Sequence, residues 1–219
     1  MNFIDTISNI FLIDTFNSLY CYIFNIYLTS SARWFLLHSI INFLVVYYSI
    51  NDVLTCISNY NICYKIEWNN NSEKVYNYAT LLHIYHFIFF KLTRDDYIHH
   101  FLMVCVCGTL CYLQKSIISS FALFFLSGLP GAIDYFLLFL VKINTIDTKF
   151  EKKVYSYLSA YLRAPGCTYT FAIGINGIID YYIKKDYYNM SLLLITICLI
   201  FWNGQYYFMK SYESYLRKM

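Results

Sequence analysis

The residues with chemical reach lie in one short run. Thr93-Arg94-Asp95-Asp96-Tyr97-Ile98-His99-His100 follows closely on His83 and His86. On a helix Asp95 and His99 stand one turn apart, as do Asp96 and His100, and His83 shares a face with His86. A carboxylate one turn from an imidazole fixes its tautomer and raises its basicity. An imidazole so held serves as a general base, or as a nucleophile that forms an acyl-imidazole. The same spacing equally suits histidines that only hydrogen-bond between helices and tie a bundle together.

Two further ionisable groups stand in apolar surroundings, where charge is costly and marks a pathway or a site. Asp134 follows the sequence Gly128-Leu129-Pro130-Gly131 and is flanked by Phe and Leu. Arg163 precedes Pro165 by two residues. It is placed to pair with Asp134, or to hold a headgroup or a cofactor phosphate. His38 and Asn42, one turn apart, read as a contact between helices. Asp52 and Asp180 lie near span ends, where water reaches them, and Asp14 is deeper but alone. Five histidines fall short of the several histidine boxes of membrane di-iron enzymes. No metal is therefore expected, although a single zinc with three ligands fits the count. The eight cysteines include no Cys-x-x-Cys pair, and most sit in apolar runs as small hydrophobes.

The elements that must position these groups follow from composition. Of 219 residues 59% are hydrophobic, 21% aromatic and 13% charged. That excludes a disordered chain and argues against a soluble monomer, which could not hide so much apolar surface. The fold class expected is an all-α polytopic membrane protein, a bundle or barrel of six to seven transmembrane helices. Candidate spans run over 8–29, 34–57, 75–92, 97–114, 117–142, 154–182 and 188–209. The fifth is broken by Gly128, Pro130 and Gly131, and the sixth by Pro165 and Gly166. Lys65–Lys74 and Asn144–Lys153 read as loops.

The cations orient these spans. With the N-terminus lumenal, the cytosolic side carries Arg33, Lys91, Arg94, Lys142, Lys149, Lys152, Lys153, Lys210, Arg217 and Lys218. The opposite side carries half as many: Lys65, Lys74, Lys115, Lys184 and Lys185. The glycosylation sequons Asn70-Asn71-Ser72 and Asn189-Met190-Ser191 fall on the lumenal side. The net charge of +3 is scattered, so no nucleic-acid surface is expected.

The run from His83-Ile84-Tyr85-His86 through Asp95-Asp96-Tyr97-Ile98-His99-His100 resembles the TLC domain family, which includes the ceramide synthases. It is similar to the family's acidic residue followed by a His-His pair at the start of a span. Gly131-Ala132-Ile133-Asp134-Tyr135-Phe136-Leu137-Leu138 is similar to the family stretch ending in Asp-Tyr-Leu-Leu. Tyr161-Leu162-Arg163-Ala164-Pro165 and the end from Asn203 to Lys210 match more weakly. The resemblance runs in order over about 33–215, leaving a first transmembrane segment at 1–32 and a short cytosolic tail at 216–219. It implies helices around a central cavity in the endoplasmic reticulum or a related membrane. For the ceramide synthase branch it implies N-acylation of a sphingoid base by acyl-CoA, with acyl-CoA as co-substrate and no tightly bound cofactor.

The positions that correspond to the reaction centre are His99, His100 and Asp134. His83, His86, Asp95 and Asp96 are expected to support them, and Arg163 to bind substrate. Where that branch carries a His-Asp pair four and three residues before Asp134, this chain has Pro130 and Gly131. Two function classes follow: lipid acyl transfer, or non-enzymatic lipid binding that senses or adjusts membrane composition or trafficking. A channel would need a polar stripe across the whole membrane, whereas the ionisable groups gather toward one half. The partners expected are membrane lipids, with self-association into a homo-oligomer left open.

Overall fold

The computed structural model describes residues 3–24, 26 and 29–219. Among them every regular element is a helix. Helix α1 spans Phe3–Ile23 and α2 Ser30–Ser58, and after a short 3-10 turn α3 covers Asn70–Phe89. Three long stretches follow, each built from two α-helices joined by a π segment. The first runs from α4 (Arg94–His99) through His100–Gly108 into α5 (Thr109–Gln114). The second runs from α6 (Ile117–Leu123) through Phe124–Gly128 into α7 (Leu129–Lys142). The third runs from α8 (Thr148–Leu158) through Ser159–Arg163 into α9 (Ala164–Ile183). Helix α10, Tyr187–Leu216, ends the fold.

Four stretches are long and apolar enough to cross a membrane: Ser30–Ser58, Arg94–Gln114, Ile117–Lys142 and Tyr187–Leu216. The stretches expected to span at 8–29, 75–92 and 154–182 are helical over most of their described residues, α1 ending at Ile23 and α3 at Phe89, but are not among these four. The outer surface is that of a protein solvated by lipid. Large side chains such as Phe16, Tyr47, Phe101, Tyr161 and Ile183 lie exposed on helix after helix.

The two expected breaks are continuous helix. Pro130 and Pro165 each sit in the first turn of an α-helix that runs on from a π segment, where each ring lacks the N–H that would bond the preceding turn. The π segment before each widens one turn, so the helix passes the proline ring without separating. The expected loop Asn144–Lys153 also differs. Asp147 accepts from the Phe150 N–H at 2.8 Å and starts α8 inside that run. Likewise α3 begins within Lys65–Lys74, where Asn69 and Ser72 form a capping box.

Polar contacts fix the two ends of the bundle. At one end Trp68 donates its indole N–H to the Ser116 carbonyl and the Ser119 hydroxyl, both at 2.8 Å. Asp180, at the end of α9, pairs there with Lys65 at 3.1 Å. Asp52, expected to be solvated, is buried and accepts from Asn69 at 2.9 Å and Ser72 at 2.8 Å. At the other end Lys210 of α10 meets Asp95 of α4 at 3.1 Å. Asp14 is not alone either. It is buried in α1, bound by both Nε and Nη2 of Arg33, and accepts from the Tyr85 hydroxyl at 2.6 Å.

Candidate functional site

A chamber of about 740 Å³ lies between α2, α3, the α4–α5 stretch, the α6–α7 stretch, the α8–α9 stretch and α10. Helix α1 packs outside it, against α2 and α3. The mouth is bordered by Thr29, Ser31, Lys91 and Thr93, at the helix ends of the Lys210–Asp95 side. Moving inward, the wall becomes polar and aromatic, then apolar. All five histidines, Asp134 and Arg163 line it. Beyond them lie Met103, Cys107, Ala122, Leu126 and Ile200. The far end is closed by aromatic rings. Tyr76 packs on Trp68 at 4.9 Å and on Tyr112 at 5.9 Å between centroids. A space with one polar region and one apolar region suits an amphiphile.

The histidines are arranged by their own hydrogen bonds, not by the aspartates expected to hold them. Nδ1 of His83 lies 2.6 Å from the Ala79 carbonyl, which can only accept. In a neutral ring that places the proton on Nδ1 and leaves Nε2 as an acceptor. Nε2 of His99 stands 3.4 Å from that atom and therefore donates to it. His99 is left with a lone pair on Nδ1, which is buried and has no partner. His100 packs against His83 and His86, at 5.2 and 5.3 Å between ring centroids, and neither His86 nor His100 hydrogen-bonds within the described residues. His86 stacks on Trp34 at 3.9 Å and His38 stacks on Tyr135 at 3.6 Å.

Asp95 and Asp96 do other work. Asp96 accepts from the Thr93 N–H at 2.8 Å and the Thr93 hydroxyl at 2.7 Å, closing the capping box of α4. Asp95 points outward to Lys210. Both stand in the first turn of α4, where free backbone N–H groups and the helix dipole attract carboxylates more strongly than an imidazole one turn away. Asp96 still borders the chamber.

Asp134 and Arg163 both reach the wall, but form no ion pair with each other among the described residues. Arg163 donates through Nη1 to the Tyr155 hydroxyl at 2.9 Å and lies over the rings of Tyr155 and Tyr207 at 5.6 and 5.5 Å. Its Nε is buried without a partner. Glu151, in the first turn of α8, is fully buried and pairs with Lys152 at 3.1 Å. The sequence reading missed Glu151, along with the aromatic partners Trp34, Tyr135 and Tyr207. Gly131 is filled from across the helix interface: a Cβ there would lie 2.6 Å from Nδ2 of Asn42.

No three His, Cys, Asp or Glu among the described residues converge to hold a metal ion. What the arrangement offers is a base with a fixed tautomer at His99, unbonded ring nitrogens at His86 and His100, a carboxylate and a guanidinium. All belong to residues that line one recessed space, where such groups act more strongly than in bulk water. Comparison with family profiles, curated proteins and solved structures finds no match for the chain.

Proposed function

We propose that the protein is a membrane protein of TLC type, with six helical stretches around the chamber and α1 outside, and that it transfers an acyl group from acyl-CoA to a lipid amine. One observation carries the reading: every histidine in the chain, together with Asp134 and Arg163, lines the same amphipathic chamber. Nδ1 of His99 takes a proton from the amine as its nitrogen attacks the thioester carbonyl. The C–N bond forms, the C–S bond breaks, and the proton passes from His99 to the departing thiolate. His100 and Asp134 orient the amine. Arg163 meets the anionic part of the donor. The TLC resemblance implies residence in the endoplasmic reticulum or a related membrane, and the cation bias and the sequons favour a lumenal N-terminus; glycosylation mapping tests the orientation.

The experiment is product formation from acyl-CoA and a long-chain base by purified protein. His99→Ala and His100→Ala should each abolish product while membrane abundance stays unchanged. Full turnover by both variants removes the chemistry from these residues.

One observation favours a second reading, lipid binding without reaction. The position that would bring a second acidic side chain to Asp134 from the same helix is Gly131, and Asn42 occupies the space beside it. Bound lipid seen by native mass spectrometry, with neither acyl adduct nor turnover, selects this reading.

A further inference from the structure

Arg163 carries a permanent charge into the interior and leaves one edge of it unused. The residue is 7% exposed and lines the chamber. Its one hydrogen bond among the described residues runs from Nη1 to the Tyr155 hydroxyl at 2.9 Å. Nε is buried without a partner, and Nη2 bonds to no described residue. Nε and Nη2 form one edge of the guanidinium, with two N–H bonds side by side that match two oxygens of an anion. The same edge is filled elsewhere in this chain, where Nε and Nη2 of Arg33 each bond one oxygen of Asp14.

The neighbouring groups do not supply the missing anion. Asp134 lines the same chamber, but no ion pair among the described residues includes Arg163. Asp96 is taken up by Thr93, and Glu151 by Lys152. Rings stand over the guanidinium instead, Tyr155 at 5.6 Å and Tyr207 at 5.5 Å. They attract a cation but fill neither Nε nor Nη2. A buried guanidinium cannot escape by losing its proton, so it calls for an oxyanion. One guanidinium matches a monoanion. A dianion would bring a second, uncompensated charge into the wall that holds Asp134.

Helix α10 shows which way such a ligand lies. Tyr207, Asn203 and Ile200 follow one another at helical spacing and all line the chamber. Tyr207 touches Arg163. Asn203 is buried one turn deeper, with Nδ2 unpartnered. Ile200 belongs to the apolar part. The helix runs close to the Arg163 segment here: a Cβ on Gly204 would lie 2.6 Å from Cβ of Cys167 and 3.7 Å from Cα of Ala164. This face therefore leads from a cation, past an unfilled donor, to hydrocarbon.

We propose that the Nε–Nη2 edge of Arg163 binds the carboxylate of a single-chain fatty acid, whose tail lies along Ile200 in the apolar part of the chamber. The inference rests on the chamber being a lipid site and needs no reaction there. A free acid held in this way would compete with an acyl-CoA for the same tail space.

The test is calorimetric titration of full-length protein in digitonin, which has no alkyl tail to compete, at about pH 9, where a carboxylic acid is ionised. The probes are dodecanoate, dodecanol and monododecyl phosphate. Wild type should bind dodecanoate about 10–100-fold more tightly than dodecanol, the worth of a charge-assisted hydrogen bond. It should bind monododecyl phosphate no more tightly than dodecanoate. Arg163→Gln should bring dodecanoate to within about threefold of dodecanol and leave dodecanol unchanged, since only the charged bond is lost. Arg163→Lys keeps the charge without the paired N–H bonds and should lose about tenfold for dodecanoate alone. It decides the matter if the Gln variant no longer binds dodecanol. Equal binding of dodecanoate and dodecanol by wild type overturns the inference. Tighter binding of the phosphate overturns the carboxylate assignment. A preference of wild-type strength in either variant overturns the role of Arg163. Acyl-transfer assays stand apart: no product from a protein that keeps the dodecanoate preference counts against the enzyme reading alone, and product without that preference counts against this inference alone.

Discussion

His83 and His99 meet through their Nε2 atoms at 3.4 Å, and the Ala79 carbonyl behind His83 decides which ring donates. The relay runs in one direction: Ala79 accepts from His83, and His83 accepts from His99. A helix carbonyl thus does for His99 what the sequence assigned to Asp95. Nitrogen-15 spectra of labelled protein should show His99 protonated at Nε2 and bare at Nδ1. In His83→Ala the two tautomers of His99 should mix, and any activity should fall only severalfold, because part of the His99 population keeps Nδ1 bare; removing His99 itself is what should cost the full contribution of a general base, about 10²–10⁴-fold. An unchanged His99 tautomer in that variant would show that something other than His83 sets it.

The ion pair between Asp14 and Arg33 is a stability element. Asp14 is buried, and removing Arg33 leaves its charge without a counterion. Breaking a buried pair from one side costs several kcal/mol; because Arg33 is itself 42% exposed, water can take its place in part. Arg33→Ala should therefore destabilise by about 2–3 kcal/mol. Tyr85→Phe, which removes one bond to the same carboxylate, should destabilise by about 1.5 kcal/mol. Urea unfolding in detergent measures both, and the double variant should fall short of the sum because both act on Asp14.

Two glycines should respond with opposite signs to the same change. A Cβ on Gly166 would lie 2.1 Å from the Phe125 ring, so Gly166→Ala should destabilise by about 1–3 kcal/mol. A Cβ on Gly108 meets only the Met103 carbonyl at 3.6 Å, an ordinary contact. Gly108→Ala should stabilise by about 0.5–1 kcal/mol, the usual gain when alanine replaces a helical glycine. Thermal midpoints of the two variants, compared with wild type, decide the matter.

The parts of the site that could be read from the sequence are those where an ionisable residue interrupts an apolar run. The five histidines, Asp134 and Arg163 stand out in that way, and all of them line the chamber. Glu151 did not stand out, because Lys149, Lys152 and Lys153 surround it and make the segment look solvated. Only the Asp147 cap, which starts α8 there, turns that one side chain inward. Trp34, Tyr135 and Tyr207 were illegible for a different reason. In a chain with 25 Tyr and 19 Phe, an aromatic residue carries no positional signal. The helices themselves followed from hydropathy. The π segments did not, since a widened turn reflects how proline and its neighbours fit in three dimensions.

The shape of the chamber sets a limit on what fills it. Along α3, from His86 to Tyr76 at the far end, ten residues rise roughly 15 Å at about 1.5 Å each. From His83 to Tyr76 the same rise leaves roughly 10 Å of apolar shaft, about eight methylenes at roughly 1.25 Å each along an extended chain. A ladder of 1-alkylamines from hexyl to hexadecyl should bind with affinity rising roughly fourfold per methylene, then level off once the tail reaches the Trp68–Tyr76–Tyr112 rings. Ala122→Leu adds bulk to the wall of that shaft and should move the plateau to shorter chains while leaving the hexyl affinity unchanged. A plateau at the same length in Ala122→Leu would place the tail elsewhere, and a ladder with no plateau would mean that the aromatic end opens.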